Sequence, residues 1–215
     1  MKAHEYSYSL RDDFKHSKKI KVYDTIYRDR SSDTSDFLDN TIKSIPSQCL
    51  DVFDEIEIHH AQGGKAGSFR AEPSLFSKRR VLAIYVSADG YPTKDVAETL
   101  YHELGHAIAK YIKGTANPGE KWRGAMLADG NPVSKYSSSM KYPKENDNGE
   151  IEDIAESVRL YLATNGAKTE ETRLLRNFCR NRFQKLDEVF EDLSKRQRTS
   201  KFKRLISRPK NSLEK

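Results

Sequence analysis

The feature that most constrains this chain is the pentapeptide His102-Glu103-Leu104-Gly105-His106, which has the form HExxH and lies in a segment with helical periodicity. Apolar residues recur there at spacings of three and four, as on one face of a helix: Val96, Leu100, Leu104, Ala107, Ile108 and Tyr111. Residues i and i+4 share a helix face, so both imidazoles can bind one metal ion with Glu103 beside its open position. The motif therefore predicts a zinc site on a helix.

Gly105 is an unusual residue for the middle of this predicted helix. Glycine costs about 1 kcal/mol relative to alanine in a helix interior. We therefore expect a specific reason for Gly105, such as the close approach of another backbone or of a loop that faces the metal.

A third metal ligand is expected after His106, because a catalytic zinc ion usually has three protein ligands and one water molecule. No histidine follows His106 and no cysteine is near it, which leaves a carboxylate. Glu152 and Glu156 lie one turn apart in a second predicted helix, from about residue 150 to 163. One can bind the metal while the other accepts a hydrogen bond from an imidazole. The alternative is a solvated acidic helix start, stabilised by the helix dipole.

Other segments predict the remaining elements. Residues 52–59 alternate in polarity and residues 81–86 are nearly all apolar, as in strands. A short edge strand is predicted at 66–71, before Pro73. Its free edge suits pairing with an extended peptide, although the glycines before it also fit a plain hairpin.

The segments between and beyond these elements differ in character. Residues 1–33 show no sustained period and are expected to form an N-terminal extension. Residues 114–149 are rich in Gly, Pro, Ser and Asn and predict a long loop region with at most short elements. Residues 169–193 predict one further helix, which belongs to a helical extension over 168–215. The body between the two extensions is 34–167.

Composition excludes several classes of protein. The chain has 215 residues, 36% hydrophobic and 33% charged, as in a folded protein with a heavily solvated surface. No segment approaches the roughly 18 apolar residues of a membrane-spanning helix, and the charged N-terminal segment is unlike a secretory signal. We expect the protein to be cytoplasmic in the producing cell, or secreted by a route without a signal peptide. The distant Cys49 and Cys179 are expected to be buried thiols.

The net charge of +6 is concentrated at the C-terminus. Residues 195–215 contain nine Lys or Arg against the single acid Glu214, which leaves a net charge of −2 on the rest. Such a tail can contact nucleic acid or an anionic membrane surface. The alternative is a solvated helix end with no partner.

Three stretches carry a family resemblance: residues 99–108, Ser134-Lys135-Tyr136, and Glu152-Asp153-Ile154-Ala155-Glu156-Ser157. Together they resemble the anthrax lethal factor-type zinc metallopeptidases, which include the proline-proline endopeptidases. The resemblance implies an α+β, zincin-like fold over roughly residues 34–165, with a small mixed sheet packed on the HExxH helix. It also implies a metalloendopeptidase acting on protein or peptide substrates. Since no secretory signal is expected, such an enzyme would act in the producing cell or as a toxin or effector delivered by a dedicated machine.

The resemblance also implies roles for individual residues. His102, His106 and Glu152 would bind Zn²⁺, Glu103 would be the general base, and Glu156 would support the ligands from behind. A loop tyrosine would face the site, and the match of Val133-Ser134-Lys135-Tyr136 to the family's loop favours Tyr136. In the family this tyrosine lies about two helical turns before the ligand glutamate, so Tyr142 is an alternative, and an exposed loop tyrosine is another.

A function of a different class is the alternative to the enzyme. In it, a regulatory or binding protein on the same scaffold acts through its basic C-terminal region. The ImmA/IrrE-like regulators also have an HELGH helix, although they usually continue into an apolar segment that is missing here after Glu156. The two functions differ in their dependence on Glu103.

Overall fold

The computed structural model of this protein describes residues 4–10, 18–24, 40–60, 66–73, 78–86, 93–113, 118–135, 147–164 and 169–206. These residues form a mixed α+β fold in which helices pack on a small sheet. The predicted α+β class and the predicted mixed sheet are confirmed.

The sheet has five strands: β1 (His4–Leu10), β2 (Lys18–Asp24), β3 (Glu55–His60), β4 (Gly67–Pro73) and β5 (Lys78–Val86). Their spatial order is β1-β2-β3-β5-β4. Strands β2, β3 and β5 run parallel, whereas β1 and β4 are antiparallel to their neighbours. The strand predicted at 66–71 is therefore an edge strand, as expected.

Strands β1 and β2 come from the segment for which the sequence predicts no regular element. They join the sheet by backbone pairing, β2 to β3 and β1 to β2. Whether a polar segment pairs as a strand depends on the neighbouring strand. Its sequence therefore need not alternate between apolar and polar residues, and no strand is predicted from it.

The described residues from 93 onward form five helices: α1 (Thr93–Lys113), α2 (Pro118–Asp129), α3 (Asp147–Ala163), α4 (Glu170–Phe178) and α5 (Arg180–Ile206). A helical turn at 40–44 and a 3-10 turn at Ser47–Asp51 precede β3. None of the helices in the described part of the chain is long and apolar enough to cross a membrane.

The core lies between the sheet and α1. One sheet face is apolar, because alternate residues of β3 and β5 point to it and are fully or almost fully buried: Ile56, Ile58, Leu82 and Ile84. The apolar stripe of α1 packs on this face with Leu100, Leu104 and Ile108. Helix α3 packs on α1.

The opposite sheet face carries a cluster of charged residues beside the buried Val81 and Ala83. The carboxylate of Glu57 is 2.6 Å from Nη2 of Arg79 and 2.8 Å from Nε2 of His59. Arg70 binds the same carboxylate from β4. These pairs hold three strands together on the side away from α1.

The prediction of a loop over 114–149 is wrong for residues 118–129, which form α2. Trp122, Ala125 and Met126 are buried on one face of this helix, which packs on α5. Gly119 and Gly124 make this segment resemble a loop in composition, so its short apolar stripe is easily overlooked. The indole of Trp122 donates to Asp153 over 3.1 Å, so the single tryptophan is a core residue.

The prediction of one helix over 169–193 is also wrong, since Cys179 separates α4 from α5. Thr169 caps α4, and Cys179 has φ −109° and ψ 31°, outside helical values. The break turns Arg182 into the interior, where Asp129 and Asp153 bind it. Cys49 and Cys179 are both buried, and burial raises the pKa of each thiol, to about 12 and about 11.

Candidate metal centre

The two helices that carry the predicted ligands are in backbone contact. A β carbon at Gly105 of α1 would lie 2.5 Å from Cα of Ala155 on α3, a distance that excludes any side chain at Gly105. The expected close approach of another backbone is confirmed. It brings His102 and His106 opposite Glu152.

The predicted ligand atoms converge. Nε2 of His102 lies 3.4 Å from Oε2 of Glu152, and Nε2 of His106 lies 3.7 Å from Oε1. All three ligand groups lie within 4.8 Å of one another. Ligand atoms about 2.0–2.2 Å from a tetrahedral metal ion are about 3.3–3.6 Å apart, so small side-chain movements would complete the coordination.

Two buried oxygens support the fit to a cation. Oε2 of Glu152 and Oε2 of Glu103 have no hydrogen-bond partner within the described part of the chain. A buried carboxylate oxygen without a partner is costly, and a bound cation with its water would satisfy both. Two imidazole nitrogens and one carboxylate oxygen also leave an open coordination position.

Glu156 orients His102 from behind. Its Oε1 atom is 2.8 Å from Nδ1 of His102, which leaves Nε2 directed at Glu152. Arg159 holds the same carboxylate through contacts of 3.1 and 3.0 Å and also binds Glu98. Burial raises the pKa of Glu156, but hydrogen bonds from His102, Arg159 and Ser134 outweigh it and lower the pKa to about 2. Glu156 is therefore an ionised acceptor at neutral pH.

The same contacts affect the imidazole. Burial lowers the pKa of His102, but the neighbouring carboxylates of Glu152 and Glu156 outweigh burial and raise the pKa to about 9. A metal ligand must be a neutral imidazole, so metal binding would release a proton here.

The side chain of Glu103 lies between its own helix α1 and the edge strand β4. It is 4% exposed, and burial raises its pKa to about 7 despite the opposing charge of His102. The backbone N–H of Phe69 donates to its carboxylate. A β carbon at Gly67 would lie 2.6 Å from Oε1 of Glu103, so glycine at this position leaves room for the carboxylate.

A cleft of about 970 Å³ opens over these groups, between β4 on one side and α1 and α3 on the other. The carbonyl of Ala66 accepts from the N–H of Tyr85 on β5 at 2.8 Å. The N–H of Phe69, by contrast, points away from β5 toward Glu103. The outer edge of β4 therefore faces the cleft, and it has no strand partner in the described ranges.

Tyr136 and Tyr142 lie outside the described residues, while Ser134, two residues earlier, reaches Glu156. Sequence reasoning missed Arg159 and Gly67. The spacing i,i+3 between Glu156 and Arg159 is a usable signal for an ion pair, whereas Gly67 has no local signal.

Two basic residues at the start of the tail pair with acidic residues of their own helix. Lys195 binds Glu191 at 2.8 Å and Arg196 binds Asp192 at 3.1 Å. Contact of residues 195–215 with nucleic acid or an anionic surface stays a prediction.

No protein-family model matches the chain, and no curated protein matches it.

Proposed function

We propose that this protein is a zinc-dependent metalloendopeptidase with a zincin-like fold, similar to the anthrax lethal factor-type peptidases. The observation that carries the proposal is the convergence of His102, His106 and Glu152 within 4.8 Å beside the buried carboxylate of Glu103. Catalytic zinc sites in hydrolases combine three such ligands with an adjacent acid–base group.

The roles of the residues follow from their positions. Bound Zn²⁺ would polarise a peptide carbonyl and lower the pKa of a water molecule to about 7. Glu103, which is buried beside the ligand cluster, would accept a proton from the attacking water and donate it to the leaving amine. Glu156 keeps the His102 ring in the orientation that binding requires.

A tyrosine donor would complete the site. We assign the oxyanion role to Tyr136, with Tyr142 as the alternative, because the loop before Tyr136 approaches Glu156 through Ser134. A phenol O–H aimed at the carbonyl oxygen stabilises the negative charge that develops there.

The substrate is an extended stretch of polypeptide. An extended peptide can add to the free edge of β4 and place its carbonyl above the ligand cluster. The cleft follows this edge from Ala66 to Ala71, which is long enough for several substrate residues.

The test is hydrolysis by zinc-loaded protein, measured by mass spectrometry on a peptide library and a denatured proteome. Glu103→Gln should lower kcat/KM by at least about a hundredfold, because general base catalysis contributes about 10² to 10⁴, and should retain zinc. Glu171→Gln is the matched control, since Glu171 is exposed on α4. If wild type hydrolyses no peptide, or if Glu103→Gln hydrolyses peptides as fast as wild type at equal zinc content, the proposal is wrong. The regulatory alternative is then favoured.

A further inference from the structure

Lys110 continues the row of metal-site residues along α1. Positions 102, 106 and 110 are separated by four residues and lie on one helix face. All three residues line the cleft. The helix rise of about 1.5 Å per residue places Lys110 about 6 Å beyond His106 along the axis.

Lys110 differs from the other charged residues of the cleft. Glu98, Arg159 and Glu156 form a chain of ion pairs that ends on His102. Lys110 has no acidic partner among the residues that the structure describes, and its side chain is exposed. It is therefore a cation available to a molecule in the cleft.

The edge strand holds the Lys110 ammonium at the cleft. Nζ lies 5.8 Å from the centroid of the Phe69 ring on β4, within the range of a cation–π contact. Phe69 also contacts Glu103 through its N–H. Lys110 therefore spans from the metal helix to the strand on which a peptide would pair.

We propose that Lys110 selects substrates with an acidic side chain about two to four residues from the scissile bond, on one side of it. The spacing follows because Lys110 lies about 6 Å beyond His106 and about 12 Å beyond His102 along α1, and an extended peptide that runs along this helix advances about 3.3 Å per residue. This inference rests on the proposed peptidase function, and it assigns the charge preference of one subsite.

The experiment compares wild type, Lys110→Glu and the control Lys43→Glu, which makes the same change at an exposed position of the helical turn at 40–44. Cleavage of a peptide library gives the preference for Glu over Lys at each position. In parallel, zinc-loaded Glu103→Gln protein, with and without Lys110→Glu, is titrated with fluorescein-labelled decapeptide pools. Each pool has Glu or Lys fixed at one position.

Lys110→Glu should change the Glu-to-Lys preference about threefold to thirtyfold at one position, since attraction becomes repulsion across a partly exposed pair. The change should shrink in 0.5 M salt, and Lys43→Glu should cause none. Efficient hydrolysis with an unchanged preference would overturn the role of Lys110 and leave the peptidase intact. If Lys110→Glu reverses the Glu-to-Lys preference in the binding titration and wild type hydrolyses no peptide, the role of Lys110 is supported and the peptidase proposal is wrong. Binding with no charge preference in either background would also overturn the role of Lys110.

Discussion

Arg182 on α5 binds Asp153 on α3, with 2.7 Å between Nε and Oδ1 and 3.0 Å between Nη2 and Oδ2. Both side chains are fully buried, and Asp153 directly follows the candidate ligand Glu152 in the sequence. Asp129 of α2 binds the same guanidinium at 3.0 Å. Helix α5 therefore braces the helix that carries the candidate third ligand.

Replacing Arg182 should strongly destabilise the fold. Arg182→Met leaves two buried carboxylates without their cation, and breaking a buried ion pair typically costs about 3–5 kcal/mol. Urea unfolding followed by circular dichroism gives the loss. Arg180→Met is the control, because Arg180 is exposed on the same helix. Equal stability of the two variants would mean that the buried network contributes little.

Adding one methyl group between α1 and α3 should disturb both stability and metal binding. Gly105→Ala places a β carbon 2.5 Å from Cα of Ala155, so the helices must separate and Glu152 must move away from the histidines. We expect a loss of about 1–3 kcal/mol from overpacking and weaker zinc binding, both measured on the purified protein.

Gly124 is the matched control for this substitution. It lies exposed in α2, and a β carbon there would meet nothing within 4 Å. Gly124→Ala should stabilise the protein by about 0.5–1 kcal/mol through helix propensity alone. A stabilising Gly105→Ala would show that α1 and α3 are less tightly packed than this contact indicates.

Zinc stoichiometry should separate the ligands from their neighbours. Wild type should bind about one Zn²⁺ per chain, whereas His102→Ala and Glu152→Ala should lose it, because each removes a bond to the metal. Glu103→Gln should keep it. Glu156→Gln should weaken affinity by about tenfold to a hundredfold through the lost support of His102. Competition with a chromogenic chelator measures the zinc affinity of wild type and of the four variants. Full affinity in Glu152→Ala with loss in Glu156→Gln would exchange the two roles.

The candidate site was predictable because its residues repeat at fixed helical spacing. His102 and His106, and Glu152 and Glu156, are each one turn apart on an amphipathic helix, and Gly105 signals the contact between the helices. Arg182 gave no such signal, since its partners Asp129 and Asp153 are 53 and 29 residues away. Strands β1 and β2 and the break at Cys179 likewise depend on long-range neighbours.

Stability should depend on pH through Glu57 on the charged sheet face. Burial raises the pKa of Glu57, but hydrogen bonds from His59 and Arg70 outweigh it, so the pKa lies below its ordinary value of 4.5. A carboxyl group with a lowered pKa stabilises the fold fully above about pH 4.5, and the contribution is lost as the pH falls through the folded-state pKa.

Comparing wild type with Glu57→Gln measures this contribution. Wild type should be more stable by roughly 1 kcal/mol at pH 6, and the difference should shrink steadily below pH 4.5. Urea midpoints at pH 6, 5, 4 and 3 provide the curve. A difference that grows on acidification would contradict the lowered pKa.

The final prediction concerns the loop tyrosines. A phenol that donates to the developing oxyanion contributes only in the transition state, so Tyr136→Phe should lower kcat by roughly ten- to a thousandfold with little change in KM. Zinc content should stay unchanged, because no ligand is removed. Tyr142→Phe should be nearly silent and serves as the matched control. Steady-state kinetics on a peptide from the library decides: the opposite result would give the role to Tyr142, and two silent variants would leave the oxyanion to the metal or to a backbone N–H.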